Sequence, residues 1–267
     1  MRAVLLALTL AGCAPATASD AKRDRPTIVS LNPCADAILA RVTAPGQLLA
    51  ISHYSHDPRA SSMAAAHAQQ FASTGGSVEE VLALAPDVVV ADSFLAPATR
   101  HALERSGVRV EVVGIAATLE DSTAQVRSLA RLTGEGVRGE ALVDAMESAW
   151  EANSHSGDSI DTLLWQSGGI VPGEQTLIAA MLDAAGFSLH SAAQGMGQGS
   201  YLPLEQVLAD PPDLVLAAGE EAMLSHPVLR EVGRMKYRSL DPTLLYCGGP
   251  TIIRAMEHLG QIRRELS

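Results

Sequence analysis

The sequence predicts an α/β protein of two similar lobes, each built on a parallel sheet, with a helix joining them. Three observations carry this. The first is an internal repeat: "VEEVLALAPDVVVAD" from Val78 and "LEQVLADPPDLVLAA" from Leu204 align without a gap. A match of that length across such a spacing implies two units of one design. The second is the character of the repeated strand. Val88-Val89-Val90 and Leu214-Val215-Leu216 are apolar at every position, as in a parallel strand covered on both faces. The third is "GEALVDAMESAWEAN", Gly139 to Asn153. There Leu142, Val143, Met146, Ala149 and Trp150 keep helical spacing with no interior Pro or Gly, so the lobes are joined through helix.

The elements follow in order. In lobe one, Thr27-Ile28-Val29 is a β-branched strand. Asn32-Pro33 then turns the chain, and "CADAIL" takes up helical spacing. "LLAIS" is a second strand, running into the turn "SHYSHDP". The repeat unit supplies a short helix stopped by Pro86, then a strand. Ser77 and Glu80 have capping-box spacing at that helix start. "VRVEVVGI" is a late strand ending in glycine, and "DSTAQVRSLARL" is a helix. Lobe two echoes this. "DTLLWQSGGIVPGEQTLIAAML" gives strand, polar turn and helix, and the second repeat unit is stopped by Pro212. "TLLYCGG" reads as the late strand ending in glycine, and "GGPTIIR" opens the final helix.

Composition limits the function. The chain has 267 residues, enough for two lobes with their own cores, and few aromatics among many aliphatics. Its formal charge is −11, which repels phosphate backbones, so nucleic acid is not expected as a partner. Arg2 followed by "AVLLALTLAGC" fits an export signal too short to span a bilayer. "LAGC" resembles the bacterial lipobox, which implies lipidation at Cys13. Cleavage after Ala16–Ala18 is the alternative. A lipid anchor would be the chain's only membrane attachment. The bounds are then 1–12 for the signal peptide, 13–25 for the linker, 26–133 for lobe one, 134–154 for the connecting helix and 155–267 for lobe two.

These motifs, in this order, resemble the class III periplasmic substrate-binding proteins: the cobalamin, haem and ferric-siderophore receptors of ATP-driven (ABC) importers. The motifs are "TIVSLNP", "LLAISHYSHDP", "GGSVEEVLALAPDVVVA", the lobe-crossing helix and "LPLEQVLADPPDLVLAAG". The resemblance covers nearly the whole chain from Pro26. It implies two Rossmann-like lobes joined by one long helix, with ligand in the cleft between them. Ligands of open parallel sheets also bind beyond the carboxyl ends of the strands, so the turns there are the candidate site. The resemblance implies a monomeric binding protein with no catalytic role and no intrinsic cofactor.

The candidate ligand contacts are Asn32 and Cys34 in the first turn, then His53, Tyr54 and His56 in "SHYSHDP". Phe94, Trp165, Tyr201 and Cys247 complete the set. Tyr54 matches an aromatic that the cobalamin receptors of the family carry in a similar turn. Its flat face and polar tip suit a macrocycle. His53 and His56 have H-x-x-H spacing, able to converge on a metal or to pack as solvated loop residues. For Phe94, Trp165 and Tyr201 core packing is the competing role. Arg59 and Arg254 are the only cations suited to the cleft turns, which favours a neutral corrinoid over an anionic chelate. Haem, ferric siderophore and a bare Zn or Mn ion remain alternatives. His190 is the only histidine near the lobe-two turns before the second repeat, a thin supply for a bare metal.

Glu79 and Glu205 are repeat mates, and in the family one acid per lobe at these positions docks onto arginines of the membrane permease. Helix-dipole placement would also explain them. An enzyme is not expected. Ser, His and Asp within "SHYSHD" are too close in sequence to converge as a triad, and no G-x-S-x-G or H-E-x-x-H is present. Cys34 and Cys247 leave three states open: a disulfide, thiols touching the ligand's metal, or inert buried thiols. A disulfide would pin the two lobes together across the cleft.

Overall fold

The computed structural model describes residues 25–219 and 235–266. The export signal, Cys13 and most of the linker lie outside these residues. β1 (Ile28–Ser30) leads into α1 (Pro33–Val42). Asn32 makes the turn abrupt: its Oδ1 accepts the N–H of Cys34 at 2.8 Å and of Ala35 at 3.3 Å, and Pro33 occupies the first helical position. β2 (Leu48–Ser52), α2 (Ala65–Ala68), β3 (Ser73–Thr74), α3 (Val78–Ala83), β4 (Val88–Asp92), α4 (Pro97–Arg105) and β5 (Arg109–Val113) follow. The first sheet has the order β3-β2-β1-β4-β5 and is parallel throughout. Its strand ends therefore open on one side.

α5 (Leu119–Thr133) packs on α1 in lobe one, and α6 (Gly136–Ala152) runs back along α5 and leads into lobe two. Thr118 and Asp121 form a reciprocal capping box at the start of α5, and Gly134 ends it at φ 74°, a conformation that glycine adopts freely. Lobe two contains β6 (Ile160–Gln166), β7 (Ile170–Val171), α7 (Leu177–Ala184), β8 (Phe187–Leu189), α8 (His190–Ala193), β9 (Ser200–Tyr201), α9 (Leu204–Ala209), β10 (Leu214–Ala218), β11 (Lys236–Leu240) and α10 (Thr251–Leu266). β11, β10, β6 and β8 pair in parallel, while β7 runs antiparallel to both β6 and β9.

The repeat holds in three dimensions. α3 with β4 and α9 with β10 occupy matching places, and Val88–Val90 and Leu214–Leu216 are fully or nearly fully buried. One core cluster runs through both lobes. It takes Ile38 and Leu39 from α1, Val126 and Leu129 from α5, and Val143 and Met146 from α6. Met256 and Leu259 from α10 extend it into lobe two. The lobes thus share a packed helical layer rather than a single hinge.

Two local expectations change. Ser77 Oγ accepts the Glu80 N–H at 3.2 Å, but the Glu80 carboxylate accepts from Thr74 Oγ1 at 3.1 Å and does not close a box. "TLLYCGG" is not a strand. Residues Pro242–Leu245 form a 3-10 turn, because the Asp241 carboxylate accepts the Thr243 N–H at 2.9 Å and Pro242 has no N–H for a ladder. The last strand is β11, just upstream.

Candidate functional site

A cavity of about 500 Å³ lies between the lobes, at the carboxyl ends of the strands. That falls inside the ~300–1,000 Å³ typical of small-ligand pockets. Lobe one builds its wall from three strand ends. After β1 come Asn32 and Cys34. After β4, the Asp92 carboxylate accepts the Phe94 N–H at 2.8 Å and turns that ring outward, 79% exposed. After β5, residues Gly114–Ala117 are held at both ends. Gln125 Nε2 donates to Gly114 O at 2.8 Å, and Asp121 Oδ2 accepts the Ala117 N–H at 3.1 Å. Ile115, in that loop, faces solvent at the cleft, 77% exposed.

Lobe two builds its wall differently. The chain leaves β6 at Gln166, doubles back through β7 and reaches α7 only at Leu177. Ile170, Pro172, Gln175 and Thr176 from this excursion line the cavity. Ser191 Oγ donates to Pro172 O at 2.8 Å and Thr176 Oγ1 to Gly173 O at 2.9 Å, which fixes the path. Gln198 and Gly199 add a second edge. The turn Leu245–Gly248 completes the lining, with Tyr246 45% exposed.

Cys34 and Cys247 are joined by a disulfide with Cα atoms 5.1 Å apart. Both cysteines line the cavity, and two residues beyond Cys247 the Gly249 N–H donates to Ser122 Oγ of α5 at 2.7 Å, so the bond sits beside the helices that join the lobes. Both sulfurs are bridged, which removes thiolate ligation of a metal. Among the described lining residues the charged side chain is Asp92, and Arg59 and Arg254 are not among them. Arg59 pairs with Asp57 at 3.4 Å in solvent, and Arg254 reaches Thr243 Oγ1 at 3.5 Å.

Of the residues singled out in the sequence, Asn32, Cys34, Phe94 and Cys247 line the cavity. The others lie elsewhere. Trp165 is 5% exposed and packs with Leu163, Val171 and Val215, because alternate residues of β6 face the sheet's other side. Tyr201 is exposed on β9 beside Gly169, outside the lining. Tyr54 is 54% exposed on the 3-10 turn His53–His56, its ring 4.1 Å from that of His53. His56 turns the other way. Its Nε2 lies 3.1 Å from Ala68 O and 3.2 Å from Phe71 O, so the two imidazoles do not converge. Among the described residues no set of three His, Cys, Asp or Glu gathers as a metal site. His190 is buried on Asp161 at 2.8 Å, level with the start of β6 and away from the cleft.

The turn bearing Tyr54 rests on a buried carboxyl. Asp36 Oδ2 accepts Ser55 Oγ at 2.6 Å and the Ser52 N–H at 2.9 Å. Burial pushes this carboxyl up to about 7, against the opposing pull of hydrogen bonds from Ser30, Ser55 and Ser52. Sequence reading passed over Ile115, Gln166, Gln175, Gln198 and Tyr246. Ile115 and Tyr246 stood within reach, each one residue from a feature already marked.

Residues 28–232 match the profile of the family described as periplasmic binding protein. No curated protein sequence matches significantly. Solved structures share the fold. The periplasmic haem-binding protein RhuT from Roseiflexus sp. RS-1 superposes with TM-score 0.71 at 21% identity, covering 90% of this chain and 98% of its own. HutB, a periplasmic haem-binding protein of Vibrio cholerae, gives 0.70 at 17%, covering 88% and 98%. BtuF, the periplasmic vitamin B12 binding protein of Vibrio cholerae, gives 0.67 at 17%, covering 90% and 96%. The family match and the two-lobed architecture lead to one conclusion: the chain belongs to the periplasmic binding protein family, as a class III, non-catalytic substrate-binding protein of an ABC importer.

Proposed function

We propose that the cleft captures a metallated tetrapyrrole, haem foremost, and delivers it to the permease. The observation that carries this reading is the cleft's make-up. Phe94 and Ile115 from lobe one and Ile170, Pro172 and Leu245 from lobe two line a cavity of about 500 Å³, and Tyr246 belongs to the same lining. A tetrapyrrole is a broad apolar disc with a metal at its centre. Two apolar walls desolvate its faces, and a tyrosine oxygen is a known axial donor to haem iron. The haem-binding names of RhuT and HutB support the same choice.

A corrinoid, the ligand the sequence first favours, is the second reading. Gln166, Gln175 and Gln198 bring side-chain amides to the lining, and no Lys or Arg is among the described lining residues. A corrin carries neutral amides at its periphery, whereas haem carries carboxylates, which in this cleft would sit at the solvent mouth. Absorbance titration with haem, cobinamide, cobalamin and a ferric siderophore separates the readings. Haem should bind one-to-one at a Kd on the order of micromolar or tighter. Tight binding of the siderophore or of free Zn²⁺, with neither tetrapyrrole bound, would overturn the proposal.

The same reading gives Glu79 and Glu205 the permease. Each is exposed in the first turn of its short helix, α3 or α9. Both helices start near the cleft ends of their sheets, one per lobe. Paired charges of this kind set register and encounter rate with a basic partner.

A further inference from the structure

The Cys34–Cys247 bond joins residues 213 apart in sequence, one from each lobe. Its surroundings matter as much as the bond. The Gly249 N–H donates to Ser122 Oγ on α5 at 2.7 Å, between buried groups. Gly249 stands at φ 59°, and a Cβ there would lie 2.7 Å from Ile38 Cγ1 on α1. A Cβ on Gly248 would meet Ser122 Oγ at 2.5 Å. The segment 246–250 follows the lobe-two strands in sequence, yet it is seated on α1 and α5 of lobe one. Only glycine lets the backbone approach so closely.

We infer that this bond and its glycine seat form a second inter-lobe tether, beside the helices that join the lobes. It holds Tyr246 at a fixed height against the lobe-one wall and confines lobe movement to the cleft mouth. The bond forms by thiol–disulfide exchange with a disulfide-bearing oxidant of the exporting compartment. Two thiols lose two protons and two electrons to become one disulfide, and the oxidant's disulfide becomes two thiols. The tether does not depend on which ligand binds.

Hydrogen exchange tests it on the exported, mature protein without ligand. Alkylation without reductant, read by mass spectrometry, should leave Cys34 and Cys247 unmodified. Exchange is then compared between the bridged protein, the same protein reduced with a phosphine, and the Cys34→Ser/Cys247→Ser variant. Reduction should speed exchange across 246–252 by about tenfold or more, while β1, β4, β6 and β10 stay protected over the same minutes. Two alkylated cysteines in the unreduced protein would overturn the inference. So would a seam that exchanges no faster after reduction. If the double variant does not fold, the reduced wild type decides. Should that protein lose protection everywhere alike, the bond is a general staple and the tether reading fails. A haem titration that shows no binding would count against the proposed ligand and leave the exchange result standing.

Discussion

Lobe one and lobe two share a frame and differ at the cleft. β1, β2, β4 and β5 correspond to β6, β8, β10 and β11, parallel in both, and the edge strands β5 and β11 have the same graded exposure. The central strands are buried on both faces in each lobe. The difference begins where the first strand of each lobe ends. Lobe one turns at once, since Asn32 caps α1 two residues after β1. Lobe two inserts the β7 excursion, whose residues form much of the opposite wall. The frame follows from apolar strands and helix stops. The site follows from what is placed between a strand end and the next helix start, and there the repeat has diverged.

The largest expected effect tests whether the frames are one unit. Leu164 in β6 and Ile28 in β1 are fully buried in the core cluster that runs through both lobes. Leu164→Ala and Ile28→Ala should each cost about 2–5 kcal/mol, and each should lower a single denaturation transition. Two separate transitions would show that the lobes fold apart, against the shared helical layer.

A second prediction concerns the asymmetry below the Tyr54 turn. Asp36 is raised to about 7 in the folded protein, above its ordinary value of 3.8. The folded state therefore holds its proton where the unfolded chain has lost it. Stability from this group is fully present below about pH 4 and is lost as pH rises towards 7. Asp36→Asn should flatten that limb, by on the order of 1–4 kcal/mol between the two ends. Equal slopes in both proteins, in denaturant titrations across that range, would contradict the burial account.

Docking should break symmetrically if the lobes serve the permease as mates. Glu79→Ala with Glu205→Ala should abolish uptake and leave ligand affinity within about twofold, because rim charges act on encounter with the partner. Uptake at the wild-type rate would remove both residues from the docking face.

Much of the frame was legible in the sequence. Pro86 and Pro212 stop their helices, and the all-apolar strands beside them have one reading in an α/β chain. The lobe-crossing helix was legible because its apolar spacing is unbroken. The cleft was less so. Trp165 sits at a strand end, but its direction depends on which face of β6 it takes, and one residue's shift decides that. "TLLYCGG" has a strand's apolar content, yet Asp241 and Pro242 convert it to a turn. The disulfide depends on how the lobes pack over 213 residues, which no local pattern encodes.

The smallest and most direct comparison sets the tyrosines of the two lobes against each other. Tyr246 lines the cleft, whereas Tyr54 stands outside the lining. In haem titrations Tyr54→Ala should shift affinity by less than about 1 kcal/mol, while Tyr246→Phe should weaken it about tenfold. The decisive measurement is the visible absorbance spectrum of the ferric haem complex of wild type and Tyr246→Phe. The account predicts a phenolate-to-iron charge-transfer band in the wild type that Tyr246→Phe loses. An identical spectrum in both proteins would place the metal contact elsewhere and contradict it.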